Sequence, residues 1–177
     1  MEQYISYPII STILSILLFL GSYQLGKIII NNLKLNNTID LISTPDLLYP
    51  TFGFIFLLVI LFPIVAFTNN ANIILRFIGL TLIFFSFFAF FNIIKLLKKF
   101  YFFGSKDIFF YILIIFVVLY FFLSLSPLTS ADVLDYHAGT ALNILRLDQY
   151  KLFPEWFTGQ QAGAGEVLIA LGFSLGA

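Results

Sequence analysis

Cysteine is absent from the 177 residues, so disulfides, thiolate nucleophiles and thiolate metal ligands are excluded together. Charge is scarce as well. Only 10% of the residues are charged, and nine basic and nine acidic side chains cancel. The chain therefore has no basic excess with which to bind nucleic acid. The N-terminus also lacks the basic segment of a cleaved signal peptide, since Glu2 is the only charge before Lys27, and no small-residue cleavage site follows its apolar stretch. No internal repeat is visible.

What fills the chain instead is apolar. Sixty per cent of the residues are hydrophobic and 24 are phenylalanine, against roughly 45–50% apolar residues in soluble domains. A water-soluble fold of this length could not hide so much apolar surface, and the phenylalanine and isoleucine runs belong in lipid. The expected fold class is all-α: a multi-pass transmembrane helix bundle with an external amphipathic helix. A bilayer crossing needs about 17–25 residues, and four stretches meet that length: 7–23 (extending toward Ile30), 51–68 with Pro63 as an expected kink, 73–94 and 108–125. A fifth begins at Glu166 and stops at Ala177, too short to span. The chain divides accordingly into a four-helix transmembrane region at 1–125, an external loop at 126–165, and the truncated start of a fifth transmembrane helix at 166–177. It reads as the N-terminal part of a larger protein, or as a chain whose last segment needs a partner.

Lysine and arginine set the orientation, because cytoplasmic loops carry their excess. Lys95, Lys98, Lys99 and Lys106 fall between the third and fourth stretches, which places that connection in the cytoplasm. Alternation then puts Lys34 on the same side and the N-terminus, the turn at 69–72 and the segment 126–165 outside the plasma membrane.

That segment is where the composition changes. Pro127 ends the fourth stretch, and Thr129 or Ser130 can cap a new helix, Thr129 and Asp132 having capping-box spacing. A helical apolar period then runs to about Leu147. At about 100° per residue, Asp132, Asp135, Gly139, Asn143 and Arg146 form one polar stripe, with Leu134, Ala138, Ala141 and Leu145 opposite. Residues 131–147 are thus expected as an amphipathic helix on the membrane surface or under a bundle. His137 projects toward the apolar side, which argues against an Asp–His pair on this helix and favours a packed or interfacial imidazole. Tyr150, Trp156 and Phe157 suit the headgroup region. The glycines from Gly159 to Gly165 lack the preceding strand and following lysine of a phosphate loop, and Gly172 and Gly176 have helix-packing spacing. Glu166 most simply caps the last helix, and Arg146, Lys151 and Glu155 have simple readings as headgroup anchors and a loop charge.

The order of these features resembles the first large external loop of the GT-C superfamily of integral-membrane glycosyltransferases: an acidic motif, an aromatic residue, a surface helix ending at an Asp or Gly turn, and a proline. Asp132, Asp135 and Tyr136, the helix through Leu147, the Asp148 turn and Pro154 stand in those places, and the Ser-Ala-Asp-x-x-Asp-Tyr-His and Pro-Glu-Trp-Phe runs look like those of a bacterial multi-pass group. The resemblance covers about 50 residues. It implies transfer from a polyprenyl-phosphate-linked sugar in envelope polysaccharide or glycolipid assembly, with Asp135 and Asp132 as the catalytic carboxylates and His137, Arg146 and Glu155 binding substrate. A carboxylate can take the acceptor hydroxyl's proton. Alternatively Asp132 and Asp135, three apart on one helical face, can hold a divalent cation against the leaving phosphate. Asp132 also has a sufficient structural reading as an acid at a helix start. A transporter or channel component is the competing class, weakened because no span centre carries an ionisable residue, and a polysaccharide polymerase is not separated from a transferase.

The orientation is directly checkable because the chain lacks native thiols. A cysteine at position 158 should react with a membrane-impermeant maleimide in intact cells, and one at position 105 should not; the reverse labelling overturns the orientation.

Overall fold

Three of the expected stretches form long helices in the computed structural model, which describes residues 8–34, 45–102, 137–151 and 163–176 together with positions 115 and 119. Helix α1 covers Pro8–Asn32, α2 Pro45–Ala66 and α3 Ala71–Phe102; the shorter α4 and α5 cover Gly139–Leu147 and Ala164–Ser174. No strand occurs among the described residues, and the all-α class holds. Pro8 and Pro45 open their helices, where the missing N–H costs nothing and the fixed φ is already helical.

Within α1–α3, the stretches Ile9–Asn32, Leu48–Ala66 and Ala71–Asn92 are 24, 19 and 22 residues long and apolar enough to cross a membrane. Helices suit that solvent because every backbone polar group within a span is paired inside it. Large side chains left uncovered, among them Ile13, Val59, Phe77, Phe84 and Phe91, are at home against acyl chains. The expected fourth span lies outside the described residues, apart from Ile115 and Leu119, both helical and exposed.

Two boundaries differ from expectation. α2 begins six residues before Thr51 and runs through both Pro50 and Pro63, the Pro63 carbonyl accepting the Phe67 N–H at 3.1 Å. α3 continues eight residues beyond Ile94, so Lys95, Lys98 and Lys99 sit on its last turns rather than in a connecting loop. Lysine is a good helix former, and cations are favourable near a helix C-terminus.

α1 packs along both α2 and α3, whereas α2 and α3, though consecutive, scarcely touch. Small residues permit the contact. Gly26 lies against the Tyr49 carbonyl and the Gly53 amide, Gly53 against the Ser22 backbone, and Gly21 against the Leu82 backbone. Ser22 and Gly26 thus have the small-xxx-small spacing by which membrane helices approach closely. Lipid is as apolar as leucine, so burial alone drives no helix pairing there; close van der Waals contact and polar pairs do. The Tyr23 and Tyr49 rings meet edge to face at 5.5 Å, and Asn92 Nδ2 donates to Gln24 Oε1 at 3.3 Å.

The end of the bundle where residues 67–70 join α2 to α3, here termed the turn end, is filled by the later chain. α5 packs against both α2 and α3, with Leu175 seated over Gly79, and α4 packs mainly on α5. Leu61 and Val65 of α2, Leu75 of α3, Ile144 of α4 and Val167 and Leu171 of α5 form one buried core.

A leucine at position 26 or 53 would strike backbone rather than a movable side chain. Gly26→Leu and Gly53→Leu should each cost about 1–3 kcal/mol in SDS-titration unfolding, whereas the lipid-facing Val59→Leu should leave the midpoint unchanged.

Candidate functional site at the turn end

α4 is amphipathic. Thr140, Ala141, Ile144 and Leu145 are buried, as is Ala138 just before the helix, while Arg146 and Leu147 are exposed. The expected helix end at Leu147 is where α4 stops, and its buried side is covered by α5 and the start of α3. Residues 131–136, the expected first part of this helix, lie outside the described residues.

α4 terminates because Asp148 turns left-handed, at φ 57° and ψ 22°. Glycine usually takes that position, and aspartate is among the few other residues that adopt it readily. The turn aims Asp148 at the start of α3. Its carbonyl accepts the Ala71 N–H at 2.9 Å, and its Oδ1 accepts the Asn72 N–H at 2.7 Å. The first amides of a helix have no partner within it, and here a residue 76 positions away supplies two acceptors. Tyr150 continues the attachment. Its N–H donates to the Val65 carbonyl at 3.4 Å, and its ring packs edge-on against Phe62 at 5.4 Å.

At the other end of α4, His137 and Ala138 lie in a π-helical turn, a local widening often found at functional positions. The chain's one histidine meets Glu166, the third residue of α5, with Nδ1 2.8 Å from Oε1. The second carboxylate oxygen, Oε2, accepts the Gly163 N–H at 2.7 Å, the backward half of a capping box. Glu166 is therefore held from both sides, and its side chain is 7% exposed against 43% for that of His137. Nearby on the buried side of α4, the Thr140 hydroxyl is enclosed without a hydrogen-bond partner among the described residues.

Of the sequence-derived site residues, His137 is brought to Glu166, and Arg146 lies exposed on the last turn of α4. Asp132, Asp135 and Glu155 lie outside the described residues, and so does the cation site that the two aspartates would form. Among the described residues, no group of three His, Asp or Glu side chains is placed to hold a metal. Glu166 caps α5 as expected, but its second contact is not visible in the local pattern, because its partner is 29 residues away. One signal was available. A carboxylate opening an apolar helix is costly to bury without a partner, and a lone histidine is a natural one.

These features define an all-α membrane protein whose last described helices close one end of a three-helix bundle with a histidine–carboxylate pair. Residues 83–177, more than half of the chain, match the DUF1420 N-terminal domain, and the chain belongs to that family. The match takes in the later part of α3 and all of α4 and α5. No curated protein and no solved structure matches the chain.

The Asp148 attachment can be dissected by substitution. Asp148→Asn retains both the acceptor and the left-handed turn and should stay within about 0.5 kcal/mol of the parent. Asp148→Ala loses the cap and strains the turn, for a combined cost of about 2–3 kcal/mol. Hydrogen exchange at Asn72 should accelerate in the alanine variant alone.

Proposed function

We propose that this chain forms part of a membrane glycosyltransferase-like protein that uses a polyprenyl-phosphate-linked sugar in envelope polysaccharide or glycolipid assembly at the plasma membrane, with its turn end facing outward. The observation that carries the reading is the His137–Glu166 pair. A half-exposed imidazole is fixed by a buried carboxylate at the end of apolar helices, two and five residues after Asp135 and Asp132.

A donor of this class has its tail in lipid and its phosphate and sugar at the bilayer edge, the level at which such a site would meet it. In the reaction, the acceptor oxygen bonds to the anomeric carbon as the carbon–oxygen bond to phosphate breaks. The electron pair leaves with the polyprenyl phosphate, and the hydroxyl proton passes to a base. Asp135 is assigned that base, with Asp132 beside it. His137, Arg146 and Glu155 are assigned to binding, Arg146 suiting a phosphate because its guanidinium forms charge-assisted, forked hydrogen bonds.

The test is transfer of radiolabelled sugar from a polyprenyl-phosphate donor by the complete protein in proteoliposomes. Asp135→Asn should lower the rate by about 10²–10⁴-fold, and Asp132→Asn should also impair it, with expression and folding preserved. Full activity in both variants would overturn the assignment.

A further inference from the structure

We infer that the outer face of α3, the side turned away from α1, is a docking surface for an anionic phospholipid, with the acyl chains along Phe84, Phe88 and Phe91 and the headgroup phosphate at Lys95, Lys98 and Lys99. Its basis is the periodicity, exposure and charge of one helix, independent of the transferase reading.

The two sides of α3 differ sharply. Leu82, Ser86 and Ala89 are buried, and Leu82 meets the backbone of α1 at Gly21. Phe84, Phe88 and Phe91 are all exposed, and the first two meet edge to face at 5.3 Å. At about 100° per residue these three phenylalanines share one face. The same period continued along α3 brings Lys95, Lys98 and Lys99 onto that face, while Ile93, Leu96, Leu97 and Phe100 continue the side of Leu82, Ser86 and Ala89. One continuous face is therefore aromatic first and basic afterwards.

The changeover falls at the depth where a lipid makes the same change. The apolar span Ala71–Asn92 is 22 residues long, which at 1.5 Å per residue crosses the hydrocarbon layer of about 30 Å. Residues 93–102 then run through the headgroup region as a basic amphipathic helix, the form that binds anionic lipid surfaces. Charge around them adds to the effect. α1 runs in the same direction as α3, Gln24 meeting Asn92, so Lys27 and the exposed Lys34 lie toward this same end. α2 runs the opposite way, Gly26 and Ser22 of α1 meeting Tyr49 and Gly53 in turn, and it starts here with Asp46. Among the described residues, five lysines thus gather at this end against one aspartate. A free phosphate would satisfy the lysines alone, whereas a phospholipid also covers the phenylalanines, and that favours the lipid.

Lysines near a helix end also complement its dipole, so the decisive readout is lipid selectivity rather than stability. Spin-labelled phosphatidylglycerol and phosphatidylcholine can be compared by the motionally restricted fraction of each around the full chain in phosphatidylcholine vesicles. The parent should favour phosphatidylglycerol by about fivefold at low ionic strength, the worth of one lysine near a headgroup. Replacing the three lysines together by glutamine (Lys95→Gln, Lys98→Gln, Lys99→Gln) keeps helix propensity and should bring the two lipids within about twofold, the residual from partial selectivity at one lysine's worth. Lys95→Arg, Lys98→Arg and Lys99→Arg together should retain the preference, and Asp46→Asn should increase it. Equal association of the two lipids with the parent overturns the inference, whether or not the variants fold. A full preference in the triple glutamine variant overturns it too, because the anionic lipid then sits elsewhere. So does sodium phosphate that abolishes the preference at an ionic strength where sodium chloride does not, since the lysines then take free phosphate.

Discussion

The attachment of Asp148 to the first amides of α3 fixes where the later part of the chain can lie. The 67–70 turn leaves the first N–H groups of α3 without partners inside the helix. Asp148 supplies two acceptors from a left-handed turn that only a few residue types enter readily. Because that turn is also the end of α4, the cap determines the position of α4, and the buried side of α4 in turn covers α5. Tyr150 extends the contact to the last turn of α2. The polar site at His137 depends on this sequence of contacts, since the ring meets Glu166 only when α4 and α5 lie together.

A different rule operates within the apolar part of the bundle. Hydrophobicity places α1–α3 in lipid but does not pair them, and the pairing falls to backbone approach at Gly21, Gly26 and Gly53 and to the Gln24–Asn92 hydrogen bond. α1 therefore serves as the common partner of α2 and α3, which keep little contact of their own, and α5 is accommodated against both. The bundle combines weakly specific burial with a few precise contacts, and the precise ones gather on α1 and at the turn end.

Two carboxylates among the described residues of the turn end illustrate how one chemical group serves packing and chemistry at once. Asp148 spends its acceptors on backbone amides and is structural. Glu166 spends one oxygen on the Gly163 amide and the other on an imidazole that remains half exposed. The first oxygen secures the helix start, and that same bond removes the freedom with which the second could release His137. The DUF1420 N-terminal domain match, residues 83–177, includes both carboxylates and His137 but not the Ala71 and Asn72 amides that Asp148 caps.

Composition and periodicity were enough to read the all-α membrane class, the three long apolar helices, the end of α4 near Leu147 and the capping role of Glu166. Each depends on residues close in sequence: an unbroken apolar run, a 3.6-residue period, a carboxylate three places after a helix start. Apolar runs gave poor boundaries, because lysine extends a helix beyond the hydrophobic stretch and a helix can run through proline, so α3 continues to Phe102 and α2 begins at Pro45. The Asp148–Asn72 and His137–Glu166 contacts join residues 76 and 29 positions apart, and a local pattern holds no record of which distant donor a carboxylate will meet. That choice was made by the tertiary structure, since only the packing of α4 between the start of α3 and α5 brings those acceptors within reach of those donors.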